Sequence, residues 1–565
     1  MIYRRLFDLL KVYRKEIGLI YGYALFTGLL SLSLPLGMQA IVNFIMMGQL
    51  STSWVVLSVF LTLALTFYSV FLIFQVHVSE YIQQRIFVKS AFEFVFRLVR
   101  IKPDPEKESH HADFVFRFFE TTAIQKGISK ILLDFSVHSL MILFGLIILS
   151  FYHGFFFLFS LALLGIVFLV FRWLGPRGFK SSLEESTMKY KVAHWMNDIS
   201  RNNEVFKINS SSRIHLDRAA RLLDGYINHR NEHFRILKFQ YVALAALKVL
   251  VISGLLIAGS VLVVRNELNL GQFISSEILV FMIVNSIEKL VYSLDTIYDV
   301  LTSLEKYGKV IDAELESPEA PGLVELKTDK TPELRLVDVD IEKGGLVLQK
   351  GISFSLAAGD RMALCGRSGT GKTELIYRMA TLSGGGEGVF YDGIEASRLN
   401  LKTARKYMGL VFSDPKIFEG SLIENICLSP EDLDMDRMHD ACSKVGLNDF
   451  LKKQEGGYNM KIVLYKRPLP RDIQIKIELA RVFYKKPPIV FFDSDLHYLS
   501  QFDREQVIEN FTRELKDSIF VFNTTSAHTA SVCNSLLYLS AGRSQQFFGN
   551  ITEALRNPEI ASIIR

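Results

Sequence analysis

Gly366-Arg367-Ser368-Gly369-Thr370-Gly371-Lys372-Thr373 is the stretch on which the reading of this chain turns. It fits GxxxxGK[ST], a glycine-rich loop whose backbone N–H groups close around phosphate oxygens at the start of a helix. In that pattern Lys372 reaches the β- and γ-phosphates and Thr373 offers a hydroxyl to Mg²⁺. The flanks supply the context the motif needs. Arg361 to Cys365 reads as a strand leading in, and Glu374 to Leu382 as a helix leading out. A second apolar run, Ile489-Val490-Phe491-Phe492, ends in Asp493, a carboxylate at a strand tip where it orients the same cation. The ligands expected are ATP and Mg²⁺, with Thr373 and Asp493 on the metal.

Further β-like runs, Lys406 to Phe412, Pro488 to Phe492 and Ser518 to Phe522, alternate with helical stretches, the pattern of a parallel sheet with crossovers. Upstream, Glu314 to Glu333 carries Pro318, Pro321, Pro332 and many charges and reads as a linker. The four cysteines, Cys365, Cys427, Cys442 and Cys533, show no framework spacing, so a reduced compartment is expected rather than a disulfide scaffold.

The remaining half belongs to a membrane. The chain is 49% hydrophobic, with 44 Phe against 3 Trp and a mean hydropathy of +0.24, too apolar for a soluble protein of 565 residues. Its 22% charged residues exclude burial wholly in lipid. From Ile17 to Ser79 no Asp, Glu, Lys or Arg occurs, about three times the roughly 20 residues one span needs, so two spans and the turn Gly48–Ser53 fit there. Phe135 to Phe171 holds two more around Tyr152-His153-Gly154, and Phe239 to Val264 and Gly271 to about Tyr292 supply the fifth and sixth. The basic and apolar residues of Met1–Glu16 interleave at helical spacing, as in an interfacial elbow helix, not a secretory signal. The positive-inside rule then puts both termini on the cytoplasmic side. The charged connections Glu80–Asp134 and Arg172–Lys238 are long enough to form helical hairpins below the membrane. The net charge of +5 makes no case for nucleic acid. The division expected is 1–16 elbow, 17–312 six-span membrane domain, 313–332 linker and 333–565 nucleotide-binding domain. Lys248 and Glu277 are ionisable residues within spans, placed too far apart in depth to pair; snorkelling is the plainer reading. Pro35 stands for a kink or for the ordinary tolerance of proline in lipid.

The chain resembles the ATP-binding cassette (ABC) exporters, as a half-transporter with one six-helix membrane domain fused to one cytoplasmic α/β P-loop cassette. Beyond the phosphate loop, the resemblance rests on Ile352–Asp360, Asp392-Gly393, Asp414-Pro415 to Ile426, and Glu478-Leu479-Ala480-Arg481. Leu32–Asn43 is similar to the first span of type I secretion exporters. The resemblance implies a homo- or heterodimer with another half-transporter in the lipid bilayer of a bacterial inner membrane. It also implies an adaptor protein and an outer-membrane channel as partners if the route is type I. No peptidase-like domain precedes the elbow, so processing of a leader peptide is not expected.

Several residues depart from the family pattern. In these transporters ATP sits between the phosphate loop of one domain and the LSGGQ signature of the other. Counting back from Glu478 places the signature at Leu469-Pro470-Arg471-Asp472-Ile473, of which only the leucine agrees. Pro470 removes hydroxyl and N–H donors, and Asp472 repels phosphate. Leu382-Ser383-Gly384-Gly385-Gly386 mimics a signature but follows the phosphate loop too closely, so it reads as a structural turn. The glutamate expected after Asp493 is Ser494, which cannot act as a base at neutral pH, and strand alternation turns Asp495 away. The Gln position falls on Ser413, the switch His falls near Ser526 with His528 arriving late, and no aromatic stands near Lys343 to stack on adenine. No catalytic residue is therefore assigned. The reading that follows is an exporter subunit that binds nucleotide but is impaired in hydrolysis, serving export of a peptide, protein or other substrate. The alternatives are a regulator or scaffold that kept the fold, and an active exporter using Asp495 and His528 instead.

Overall fold

The computed structural model describes residues 2–46, 52–102, 111–316, 323–326, 330–384, 386–429, 431, 433–463, 469–540 and 545–564. The chain forms two compact units, Met1–Ile101 with Ser109–Leu315, and Lys102–Glu108 with Glu316–Arg565.

The first unit is helical: α1 (Ile2–Val12), α2 (Arg14–Ser31), α3 (Ser33–Met46), α4 (Thr52–Leu98), α5 (His111–Phe118), α6 (Glu120–Tyr152), α7 (Gly154–Arg201), α8 (Asn203–Ile208), α9 (Ile214–Val264) and α10 (Leu270–Ile311). Among the described residues, Arg14–Met46, Thr52–Leu98, Phe114–Tyr152, Ile214–Val264 and Leu270–Ile311 are long and apolar enough to cross a membrane. Helix α7 opens with a shorter apolar stretch, Gly154–Ile166. The turn read at Gly48–Ser53 falls, as far as Ser51, outside the described residues. Helices α4, α7 and α9 run on without a break well past their apolar parts; α9, with 51 residues, is about 75 Å long.

Two local departures have plain causes. The elbow helix stops at Val12, four residues before the expected Glu16, because Tyr13 leaves helical geometry and buries its ring, and Arg14 already begins α2. Proline 35 has no N–H to give, and the first spanning segment is broken at Leu32, so this proline marks a kink. The links between α6 and α7 and between α9 and α10 are short. His153 is the single extended residue between α6 and α7, its Nδ1 accepting from the Phe155 amide at 3.1 Å, and its Nε2 lies 3.1 Å from Glu267 in the α9–α10 turn. Asn269 and Gln272 start α10 with a reciprocal capping box. Glycines let the helices approach closely. A Cβ on Gly127 would meet Val300 at 2.2 Å, and one on Gly178 would meet the Tyr298 ring at 2.3 Å.

Lys248 does not pair with Glu277. Its Nζ donates to Glu288 Oε2 at 2.9 Å and Asn285 Oδ1 at 3.2 Å, both on α10, so a neighbouring-helix ion pair answers the charge. Glu288 also lies within the span expected from Gly271 to about Tyr292, and the antiparallel run of α9 and α10 brings it level with Lys248.

The second unit holds the strands β1 (Leu334–Lys343), β2 (Leu346–Leu356), β3 (Arg361–Gly366), β4 (Val389–Tyr391), β5 (Ile394–Glu395), β6 (Met408–Val411), β7 (Gly420–Ser421), β8 (Lys461–Ile462), β9 (Ile489–Phe492), β10 (Ile519–Asn523), β11 (Ser535–Leu539) and β12 (Gln545–Phe548). The main sheet has the order β12-β11-β3-β10-β9-β6, parallel except for its edge strand β12. A second sheet runs β2-β1-β4-β5, antiparallel. Strand β9, and β10 up to Phe522, are apolar because both their faces are covered; Phe492 stacks on Phe522 with centroids 4.7 Å apart. The run from Lys406 begins as a turn of 3₁₀ helix and becomes strand only at Met408. The helix α11 (Lys372–Met379) stops three residues short of Leu382, since Thr381 takes a positive φ of 56° and Arg405 holds its carbonyl at 2.5 Å.

Candidate functional site

The parallel sheet carries the site at the ends of β3 and β9, where backbone turns outward from a fully buried core. Gly366 closes β3 at φ +149° with no room for a side chain, because a Cβ would sit 2.3 Å from the Leu539 carbonyl oxygen. Gly369 and Gly371 take φ of +84° and +92°, and Thr370 Oγ1 donates to the Arg367 carbonyl at 2.9 Å, so residues 366 to 371 wrap into a cradle that opens α11. Lys372 Nζ lies across the cradle, donating to the carbonyls of Gly366 at 2.7 Å and Arg367 at 2.8 Å. Burial lowers its pKa. Thr373 Oγ1 donates to Asp493 Oδ1 at 2.8 Å, joining the two residues expected on the metal.

Asp493 is 2% exposed, and desolvation pushes its carboxyl up, with the Thr373 hydroxyl among the groups that pull it back. Its Oδ2 is buried without a hydrogen-bond partner. A buried carboxylate oxygen left open beside a threonine hydroxyl is the hard oxygen donor set that suits Mg²⁺, and a glycine cradle crossed by an ammonium suits a polyphosphate. The residues present thus fit Mg-ATP. One contact was not foreseen. Asn523, ending β10, points its amide at Asp493, 3.3 Å from Oδ1 and 3.4 Å from the carbonyl. Its signal in the sequence was only that it stands where the strand run Ser518–Phe522 ends.

The positions around this cradle are turned to other uses. Ser494 is buried, and its Oγ accepts from the Leu496 amide at 3.2 Å, a local turn bond. The Asp495 carboxylate is captured by the two threonines just past β10. Oδ2 accepts from the Thr525 amide at 3.0 Å and hydroxyl at 2.7 Å, and Oδ1 from the Thr524 hydroxyl. Ser526 caps the short helix Ala527–Ser531, on which His528 stands half-buried with Nδ1 unpartnered. Ser413, exposed just past β6, instead faces Asp493, where its hydroxyl and amide help hold that carboxyl down. Ile341 and Leu348 come within 3.3 Å of the place a Gly371 Cβ would take.

Leu469 to Ile473 lie at the start of the helix Arg471–Lys485, with Pro470 as its uncapped N-terminal residue. Arg471 is committed to Asp414 at 2.8 Å. The same helix buries Glu478, whose oxygens accept from the amides of Phe412 (3.1 Å) and Lys416, while Arg481 donates to the carbonyls of Asn425 (2.8 Å) and Lys416 (3.1 Å). Burial pushes the Glu478 carboxyl up to about 7 against the pull of those amides and of Arg481. The Glu-Leu-Ala-Arg block therefore ties residues 412–427 to the core. The segment at Leu382–Gly386 is a turn ahead of β4, with Gly385 outside the described residues.

The fold is that of an ABC exporter, an apolar helical region first and an ABC nucleotide-binding domain second. Residues 349–496 match the family model of the ABC transporter. The chain is 25% identical over 316 residues to the β-(1→2)glucan export ATP-binding/permease protein NdvA of Mesorhizobium japonicum, covering 55% of this chain and 53% of that one. It is also 25% identical over 313 residues to the α-hemolysin translocation ATP-binding protein HlyB of Escherichia coli O157:H7, covering 54% and 43%. The chain thus spans about half the length of these curated relatives. Over almost the whole length, 98% of this chain and 99% of the other, it superposes on a bacterial Atm1-family ABC exporter solved with ATP bound, at a TM-score of 0.86 and 17% identity, a likeness of fold.

Proposed function

We propose that this chain is a subunit of a dimeric exporter that holds Mg-ATP in its phosphate loop and hydrolyses little or none of it alone. The observation that carries the reading is the contrast within three consecutive residues. Asp493 is bonded to Thr373 beside an intact cradle, whereas Ser494 is spent on a turn and Asp495 on Thr524 and Thr525. Bound Mg²⁺ neutralises phosphate charge and polarises the γ-phosphorus. This chain's own residues would then hold the phosphates on loop amides and Lys372 and fix the cation with Thr373 and Asp493. None at the end of β9 is free to take a proton from water. In a homodimer both composite sites would lack the base. In a heterodimer each site would take one damaged part from this chain, so a competent partner subunit would drive turnover. The capture of Asp495 speaks against its use as a substitute base.

The export route proposed crosses a bacterial inner membrane, with both termini cytoplasmic. A peptide or protein substrate, with an adaptor and an outer-membrane channel, is drawn from the likeness to HlyB, a translocation protein by name. The test is to purify the chain in lipid and measure photolabelling by an ATP analogue and ATP turnover together. Labelling that Lys372→Ala removes, with turnover at background, supports the reading; robust turnover abolished by the same substitution sinks it. A stable dimer that takes no label would favour a scaffold.

A further inference from the structure

Where α2 begins and α4 leaves its apolar part, the two helices enclose a cavity of about 360 Å³ lined by Lys15, Glu16, Leu19, His77, Val78 and Tyr81. Its depth in the bilayer follows from charge. Glu16 and Glu80 bound a stretch with no Asp, Glu, Lys or Arg, so the cavity lies where hydrocarbon gives way to headgroups. The polar and apolar parts divide accordingly. Leu19 and Val78 line it from positions inside the uncharged stretch, and Tyr81, 48% exposed, has the amphipathic ring that settles at such a boundary.

Lys15 and Glu16 line the cavity with opposite charges, and Arg85 just outside it tips the balance positive. Glu16 is answered by Arg85, whose Nη1 lies 3.2 Å from Oε1 and whose guanidinium sits 5.4 Å from the Tyr81 ring centre. Lys15 has no ion pair or hydrogen bond among the described residues, and His77 offers a further donor. A cavity with an unspent ammonium at one end and an aliphatic wall at the other matches a phosphate joined to acyl chains, not a free anion. We propose that it seats the phosphodiester headgroup of an anionic phospholipid from the leaflet bordered by the elbow helix. Lys15 contacts the phosphate, and Leu19 and Val78 bear on the first carbons of the chains.

The purified full chain is tested by native mass spectrometry in detergent with dioleoyl phosphatidylglycerol or dioleoyl phosphatidylcholine. The anionic lipid is expected to be retained about fivefold better, the ratio that one basic residue near a membrane surface supplies. Lys15→Ala removes that preference and Lys15→Arg restores it, while Lys180→Ala, an exposed charge on α7, leaves it in place. Equal retention of the two lipids, an undiminished preference in Lys15→Ala, or release of the lipid by inorganic phosphate alone overturns the proposal. The last outcome would make this a site for a free anion.

Discussion

At the tip of β9, Asp493 and Ser494 are one peptide apart and stand for the two sides of the site. Asp493 belongs to the side made of β3, the glycine cradle and α11, whose geometry is set by backbone: a glycine pressed on the Leu539 carbonyl and strands buried on both faces. Ser494 belongs to the side made of side chains on loop ends, where Ser494, Asp495, Asn523 and Arg471 have each found a local partner. The cradle cannot be lost without opening the core, whereas a base or a signature serine can be exchanged at little cost to stability. On the proposed reading, that difference is why grip on phosphate outlasts the chemistry that would use it.

The comparison can be broken at four points. The largest effect is expected at Glu478, which anchors the frame common to both sides. Its folded pKa of about 7 stands above the ordinary 4.5, so the folded chain keeps a proton that the unfolded chain has released between those values. The contribution is full below about pH 4.5 and is lost as pH rises through about 7, on the order of 3 kcal/mol. Thermal unfolding of wild type and Glu478→Gln should give curves that draw apart as pH rises through that window, the wild type losing stability; parallel curves would show that the buried carboxyl does not titrate there. Next, Lys372→Ala should weaken ATP-analogue retention by about 1.5–3 kcal/mol, ten- to hundredfold, with the unfolding midpoint held. Unchanged retention would mean the cradle is a relic of the fold. Asp495→Asn should cost about 1–2 kcal/mol of stability through its bonds to Thr524 and Thr525 and leave analogue binding unaltered. A rise or fall in turnover on that change would return Asp495 to the chemistry. The smallest effect is expected from Ser494→Glu. A carboxylate placed there alone should leave turnover at background, because the segment at Leu469–Ile473 still lacks its glycines, and a clear gain would locate the whole defect at one residue.

Much of this was legible beforehand, for identifiable reasons. The cradle announces itself because glycine, lysine and threonine are each required by a backbone or charge constraint at a fixed spacing. The spans announce themselves because a missing charge over dozens of residues has few other causes. The partners of Asp495, Asn523 and Lys248 did not show, since each bond joins positions brought together only by strand order or helix height. Tyr13 ended the elbow early for a similar reason: the basic and apolar pattern runs through it, and only its burial marks the break.

One contact in the membrane unit bears on how the chain is made. Arg5 of α1 reaches Leu304, Glu305 and Asp312 at the far end of α10, and Gly308 leaves the space that its guanidinium fills. These partners are translated some three hundred residues apart. The bonds between the elbow and α10 must therefore wait until the last spanning helix has emerged from the ribosome. A nascent chain halted before Leu304 therefore has its first helix made and packed on earlier residues but not yet clasped to α10.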